Sequence, residues 1–256
     1  MDVILKIDHL TKKFEGLTAV NDLSIEVKKR RIHTLIGPNG SGKSTTVNLI
    51  TGTLPVTSGK IYFKNEEITD KSTHKIAQLG LSRTFQNIKL FSAMSVIDNL
   101  MVGAHKNTKQ GIVNFIVNPI LAKKEEKYLR EKAEEMLNFL NLEQYKNEMV
   151  SNLPYGLQKM TELGRTLMTE PDLILLDEPA AGLNPSERKI FIEYLQKVYE
   201  QGIDLFLIEH NMDVVMSISH HITVINFGTK IAEGEPKDIV NDPEVIKAYL
   251  GDKFKA

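Results

Sequence analysis

The stretch Gly37-Pro38-Asn39-Gly40-Ser41-Gly42-Lys43-Ser44-Thr45 decides how this chain is read. It fits the pattern G-x-x-x-x-G-K-[ST], whose parts suit one task, the grip of a polyphosphate. Gly40 and Gly42 carry no Cβ, so the backbone can close tightly around phosphate oxygens. Successive N–H groups then line an anion-binding concavity. A helix predicted to open near Lys43 adds its positive N-terminal end. Lys43 brings a full charge to the β and γ phosphates, and the Ser44 hydroxyl suits Mg²⁺. Around the loop, Arg31-Ile32-His33-Thr34-Leu35-Ile36 reads as a strand and Thr45-Thr46-Val47-Asn48-Leu49-Ile50 as a helix. All nine residues, 37 to 45, are therefore candidate nucleotide contacts.

A second acidic element belongs with this loop. Leu173-Ile174-Leu175-Leu176 is an uninterrupted apolar run, as expected of a buried parallel strand, and Asp177-Glu178-Pro179 follows at once. Ligands of open α/β sheets bind beyond the carboxyl ends of the strands. Asp177 is thereby placed to hold Mg²⁺ through a water, and Glu178 to polarise a water for attack on the γ-phosphate. A second apolar strand, Asp204-Leu205-Phe206-Leu207-Ile208, delivers Glu209-His210 to the same edge. A neutral imidazole at His210 can bond the γ-phosphate or the attacking water. Gln86, in Arg83-Thr84-Phe85-Gln86, is a candidate ligand of Mg²⁺ or the water. Phe14 reads either as an aromatic platform for adenine or as an edge aromatic of the core. Val20 is a further candidate nucleotide contact.

Composition narrows the class. The 256 residues are 41% hydrophobic and 25% charged, ordinary for a soluble globular chain. A net charge of −1 argues against a protein that coats nucleic acid. With no cysteine, disulfides and thiol chemistry are excluded. The start, Met1-Asp2-Val3-Ile4-Leu5, lacks the layout of a secretion signal, and no apolar stretch approaches the ~20 residues of a membrane span. Work at a membrane then requires another chain as anchor.

Strand patterns fill residues 1–36 and 60–64, and a short helix is expected over 72–80. From 87 to about 168 the pattern is helical. Tyr128, Leu129, Ala133, Met136, Leu137 and Leu140 share one face of the clearest helix. Residues 103–124 read either as a helix pair or as a flexible insertion. A helix with a Ser186 N-cap is expected over 186–201, and a hairpin over 222–232 around Gly228. The layout predicts an α/β nucleotide-binding core of residues 1–86 and 169–256, interrupted by a helical subdomain at 87–168.

These motifs, in this order, resemble the ATP-binding cassette (ABC) ATPases over nearly the whole chain, residues 4–251. Four stretches resemble the ATP-binding subunits of branched-chain amino acid importers: Ser82-Arg83-Thr84-Phe85-Gln86-Asn87-Ile88-Lys89-Leu90-Phe91, Leu153-Pro154-Tyr155-Gly156, Leu176-Asp177-Glu178-Pro179-Ala180-Ala181-Gly182-Leu183-Asn184-Pro185, and the tail Asp242-Pro243-Glu244-Val245-Ile246-Lys247-Ala248-Tyr249-Leu250-Gly251. The resemblance implies an α/β P-loop core with an antiparallel β subdomain and an inserted α-helical subdomain. It implies ATP and Mg²⁺ as cofactors, and ATP hydrolysis coupled to transport. Two cassettes would close head to tail, each ATP held by one loop and by the partner's signature segment, here Pro154, Tyr155 and Gly156 ahead of a helix over 158–169. Membrane permease subunits, a second ATPase of the same or another kind, and an extracytoplasmic solute-binding protein are the implied partners, with no nucleic acid. The implied location is the cytoplasmic side of the cell membrane, as a peripheral subunit. The general signature is Leu-Ser-Gly-Gly-Gln; here proline replaces the serine, tyrosine the first glycine and Leu157 the glutamine. Urea or amide importers, and ABC ATPases of DNA repair or of the ribosome, are the alternatives. A repair ATPase would need a long coiled coil between Gly42 and Gly156, and no sustained heptads are present.

Overall fold

The computed structural model describes residues 2–104 and 119–250, so most of the 103–124 stretch, residues 105–118, lies outside the described residues. The chain divides into two compact units. One comprises Met1–Arg83, Asp172–Ala181 and Leu195–Ala256; the other comprises Thr84–Pro171 and Gly182–Tyr194.

In the first unit two sheets form. Strands β1 (Val3–Phe14), β2 (Leu17–Lys28), β4 (Ser58–Phe63) and β5 (Glu66–Glu67) make an antiparallel sheet in the order β2-β1-β4-β5. Its alternation is visible in β2, where Leu23, Ile25 and Val27 are buried while Asp22, Glu26 and Lys28 are exposed. The other sheet has the order β10-β9-β3-β8-β7-β6. It is built from β3 (Ile32–Ile36), β6 (Leu81–Arg83), β7 (Leu173–Asp177), β8 (Asp204–Ile208), β9 (His221–Asn226) and β10 (Thr229–Gly234). Pairing is parallel throughout except between β9 and β10, which form the expected hairpin. All residues of β3, β7 and β8 are buried, which is why those segments read as apolar runs without alternation. Leu35, Leu175 and Phe206 join the main core with Val47 and Ile50 of helix α1 (Lys43–Ile50) and Ile76 of helix α2 (Thr73–Gln78), the short helix expected over 72–80. Truncating any one of these to alanine costs about 2–5 kcal/mol. Because β3, β7 and β8 run in register and parallel, their carboxyl ends open on one edge, as Leu35 opposite Ile208 and Asp177 opposite Ile208 show.

A titratable ring, that of His33, is buried inside this sheet. His33 is 1% exposed, its Nε2 lies 2.9 Å from Thr223 Oγ1, and the rings of Phe206 and His221 pack edge-on at 5.4 and 4.9 Å. Burial, then the neighbouring His221, pushes its pKa down to about 3. In the unfolded chain the same ring takes a proton near 6.5. The stability that this neutral ring contributes is thus complete above pH 6.5 and is lost as the pH falls from there towards 3, by roughly 5 kcal/mol in all. Urea unfolding should show a midpoint that drops between pH 6.5 and 4, and His33→Leu should flatten that drop. Parallel declines in the two proteins would remove His33 as the cause.

The second unit contains α3 (Val96–Ala104), α4 (Pro119–Leu140) and α5 (Tyr155–Leu167). Leu129, Ala133, Leu137 and Leu140 of α4 are buried as expected, but Tyr128 is half-exposed, its ring under the Lys132 ammonium. Residues 84–86, 169–171 and 182–194 group with this unit, beyond the 87–168 expected from sequence. The reason is packing: Asn141 Nδ2 donates to Tyr194 Oη at 2.7 Å, Phe139 meets Tyr194 edge-on, and the Glu187 carboxylate abuts Gly156. Helix α5 starts three residues earlier than expected. Pro154, with φ −52° and ψ 150°, is the residue before its first turn, a position where the missing N–H costs nothing. Helix α6 (Pro185–Glu200) is capped by Asn184 rather than Ser186. Glu187 N–H donates to Asn184 Oδ1 and Asn184 N–H to Glu187 Oε2, both at 3.0 Å, a reciprocal capping box.

Candidate active site

The phosphate-loop pattern folds as strand, loop and helix between β3 and α1. Its tightness explains its glycines. A Cβ on Gly37 would sit 2.1 Å from Ile225 O, and one on Gly42, at φ 103°, 2.4 Å from Ala19 O. Gly228 N–H donates to Ser41 O and Asn21 N–H to Gly228 O, so the β9–β10 turn and β2 brace the loop from outside. No side chain caps the N-terminus of α1 and no acid lies in its first turn, which leaves the helix's first N–H groups and positive end for an anion. The Lys43 ammonium folds back to donate to Gly37 O at 2.7 Å and Pro38 O at 3.0 Å. Burial lowers its pKa from the usual lysine value, opposed by the charges of Glu178 and Asp177.

The loop opens on a cleft of about 400 Å³ lined by residues 39–45, Phe14, Leu17, Thr18, Ala19, Glu178 and Phe227. Phe14 is 42% exposed and faces this cleft, with Lys12 Nζ 5.1 Å from its ring centre. Val20 is fully buried in the core instead, while its neighbours Thr18 and Ala19 line the cleft, in a stretch where the β1–β2 register shifts. Leu17 and Phe227, 63% and 83% exposed, are apolar walls that the sequence reading passed over. The available signal was an aromatic beside Gly228 in the expected hairpin turn, where an apolar side chain has no core to enter.

From the ends of β7 and β8 come the acids and the histidine. Asp177 is buried, and its Oδ2 accepts Arg83 Nη2 at 2.7 Å while Arg83 Nη1 reaches Asn48 Oδ1 on α1, also at 2.7 Å. Arg83, not singled out from the sequence, thus ties Asp177 to the helix that carries the loop. Breaking a buried pair of this kind leaves an uncompensated charge. Glu178 is held at φ 48°, a sparsely populated region, by its own N–H donated to Ile208 O. Its Oε1 lies 3.4 Å from His210 Nδ1. Below them Glu209, 1% exposed, accepts Ala180 N–H at 3.1 Å and His210 N–H at 3.2 Å. Burial pushes its carboxyl above the usual range, against the pull of those donors. Glu209 pins the turn after Glu178 to the turn carrying His210. Ser44 is exposed at the cleft. Loop 37–45, Phe14, Asp177, Glu178 and His210 therefore share the first unit.

Gln86, Pro154, Tyr155 and Gly156 belong to the second unit. Gln86 is exposed in an irregular segment. Tyr155 rests on Gly182, where a Cβ would lie 2.8 Å from its ring, and Lys159 Nζ stands 5.8 Å from the ring centre. Gly156 is buried against Glu187, which a Cβ would meet at 2.8 Å.

Residues 20–181 match the family described as ABC transporter, and 229–255 match the branched-chain amino acid ATP-binding cassette transporter family. The chain is 41% identical over 250 residues to the high-affinity branched-chain amino acid transport ATP-binding protein BraF of Pseudomonas aeruginosa, covering 97% of this chain and 98% of that one. It is 38% identical to the LivG protein of Escherichia coli over the same shares. Among solved structures, a nucleotide-free ATP-binding cassette of an ABC transporter superposes with TM-score 0.85 at 34% identity, covering 98% of this chain and all of the other. The ADP conformation of the cassette MJ1267 gives 0.85 at 35% with the same coverage. The fold and the site define an ABC ATPase, and the chain belongs to that family. Within it, this is an ATP-binding subunit of the branched-chain amino acid transport group.

Proposed function

We propose that this chain is the motor subunit of an importer for branched-chain amino acids, cleaving ATP at the cleft between the 37–45 loop and Glu178. The observation that carries this is the opening of Glu178, strained and beside His210, onto the cleft that the loop lines. The loop N–H groups and Lys43 bind the phosphates, and Phe14 offers its face to the base. The Glu178 carboxylate polarises water for attack on the γ-phosphate, while His210 steadies the water or the phosphate. Ser44 and Asp177 offer hard oxygens, the donor set of Mg²⁺, which keeps several waters and leans on substrate phosphates. Bound there, the ion would neutralise charge between the β and γ phosphates. Gln86 is proposed as a further ligand of the ion or water.

The helical unit is proposed to dock on a permease subunit, and Pro154, Tyr155 and Gly156 to complete the ATP site of a second cassette. With a proline at 154 the grip there comes from the N-terminus of α5 and not from a hydroxyl. Among the described residues no helix is long and apolar enough to cross a membrane, so attachment at the cytoplasmic face would come through the permease. A solute-binding protein would deliver substrate from outside. When this chain is co-purified with its permeases from detergent and placed in proteoliposomes, ATP inside should drive uptake of leucine, with urea ignored. Uptake of urea without leucine would overturn the substrate assignment, and recovery of no permease would overturn the transport role.

A further inference from the structure

Glu209 stands where three strands end. It comes directly after β8, is 1% exposed, and takes no part in the chemistry assigned to Glu178 and His210. Its backbone N–H donates to Leu35 O at 3.3 Å, on β3, the strand that leads into the phosphate loop. Its carboxylate divides its two oxygens between two turns. Oε1 accepts Ala180 N–H at 3.1 Å, in the turn that follows Glu178 at the end of β7. Oε2 accepts the N–H groups of His210 and Asn211 at 3.2 and 3.4 Å. Asn211 in turn caps helix α7 (Met212–Ile218), its Oδ1 accepting Val214 N–H at 3.3 Å. All of these residues lie in the first unit.

The bonded turns are the ones that carry the reacting groups. Ala181 N–H donates to Glu178 O at 3.1 Å, closing a turn of which Ala180 is the third residue. A hold on Ala180 is therefore a hold on the backbone of Glu178, which is kept at φ 48°. On the other arm the bonded N–H is that of His210 itself, whose Nδ1 lies 3.4 Å from Glu178 Oε1. One buried carboxylate thus spaces the acid and the histidine through their backbones. A carboxylate suits this place because both its oxygens only accept, whereas one end of a glutamine amide is a donor and would face an N–H.

We propose that Glu209 is a positioning residue for ATP hydrolysis, whose carboxylate joins the Ala180 turn to the His210 turn and so sets the Glu178–His210 geometry at the γ-phosphate. This rests on the reading of Glu178 as the group that polarises water. In the assembled transporter Glu209→Gln should lower kcat about 10-fold to 100-fold, the order expected of displacing a reacting group by up to about 1 Å. The KM for ATP should stay within about twofold, since these bonds serve the chemical step and not the grip of the loop. Glu209→Asp keeps a carboxylate in reach of the next N–H groups along the chain, as in an Asx turn, but is one methylene short of Ala180. It loses the Glu178 arm alone, so its kcat should fall as well, and it carries the test where the glutamine variant does not fold. In a Glu178→Gln background Glu209→Asp should cost less than about twofold further, because the group it positions is already gone. Wild-type kcat in the Glu209 variants would overturn the proposal. So would a raised KM with kcat kept, or an equal fold-loss from Glu209→Asp in the two backgrounds, the mark of a merely structural residue. Turnover by Glu178→Gln alone within tenfold of wild type would instead sink the reading of Glu178, whatever the Glu209 variants do.

Discussion

Glu178→Gln is expected to bind ATP and nearly cease to hydrolyse it. The amide keeps the size and reach of the carboxylate but cannot accept a proton from water. Loss of a general base costs about 10²–10⁴-fold in turnover. Binding should survive or tighten, because the substitution removes a negative charge from the cleft where a polyanion is received. It also removes one of the two carboxylates that support the Lys43 ammonium, a smaller effect since Asp177 remains. With ATP retained and not cleaved, the variant should accumulate as a closed pair of cassettes, visible as a doubled mass on size exclusion. Turnover within tenfold of wild type would take the base role from Glu178 and pass attention to His210, 3.4 Å away.

Lys43→Ala should abolish measurable ATP binding by a different route. The ammonium already donates to two loop carbonyls, and a γ-phosphate would replace them with charged acceptors. Charge-assisted bonds of that kind are worth about 1.5–3 kcal/mol each, so losing two weakens binding roughly 100-fold or more. The unliganded protein should suffer less. Gly37 O and Pro38 O lose their donor, yet the adjoining cleft is open enough for water to take its place. Calorimetric titration with Mg-ATP against wild type is the measurement. A change in affinity below threefold would show that the backbone N–H groups hold the phosphates without the lysine.

Much of this site was legible before any coordinates. The glycine spacing, the apolar runs ending in Asp177 and in Glu209-His210, and the rule that parallel strands share a carboxyl edge were enough to gather loop, acids and histidine. What escaped depends on register and on partners remote in sequence. Arg83 and Asp177 stand 94 positions apart, and nothing local to Arg83 announces a buried carboxylate. Val20 went to the core while Thr18 and Ala19 reached the cleft, because the β1–β2 register shifts there and no local pattern announces the shift. The cap of α6 went to Asn184 because Glu187 could answer it reciprocally, a pairing that competed with the plainer signal of Ser186. Residues 182–194 joined the helical unit through Tyr194 and Glu187, contacts that periodicity does not reveal.

The left-handed backbone of Glu178 has a consequence for how this protein can vary. A glycine would occupy that conformation freely, and the present residue forgoes roughly 1 kcal/mol to stand there. The sturdiest version of this turn is therefore a dead one. Selection for heat tolerance alone would drift towards an inert cassette, and libraries screened only for folding should enrich Glu178→Gly among their survivors.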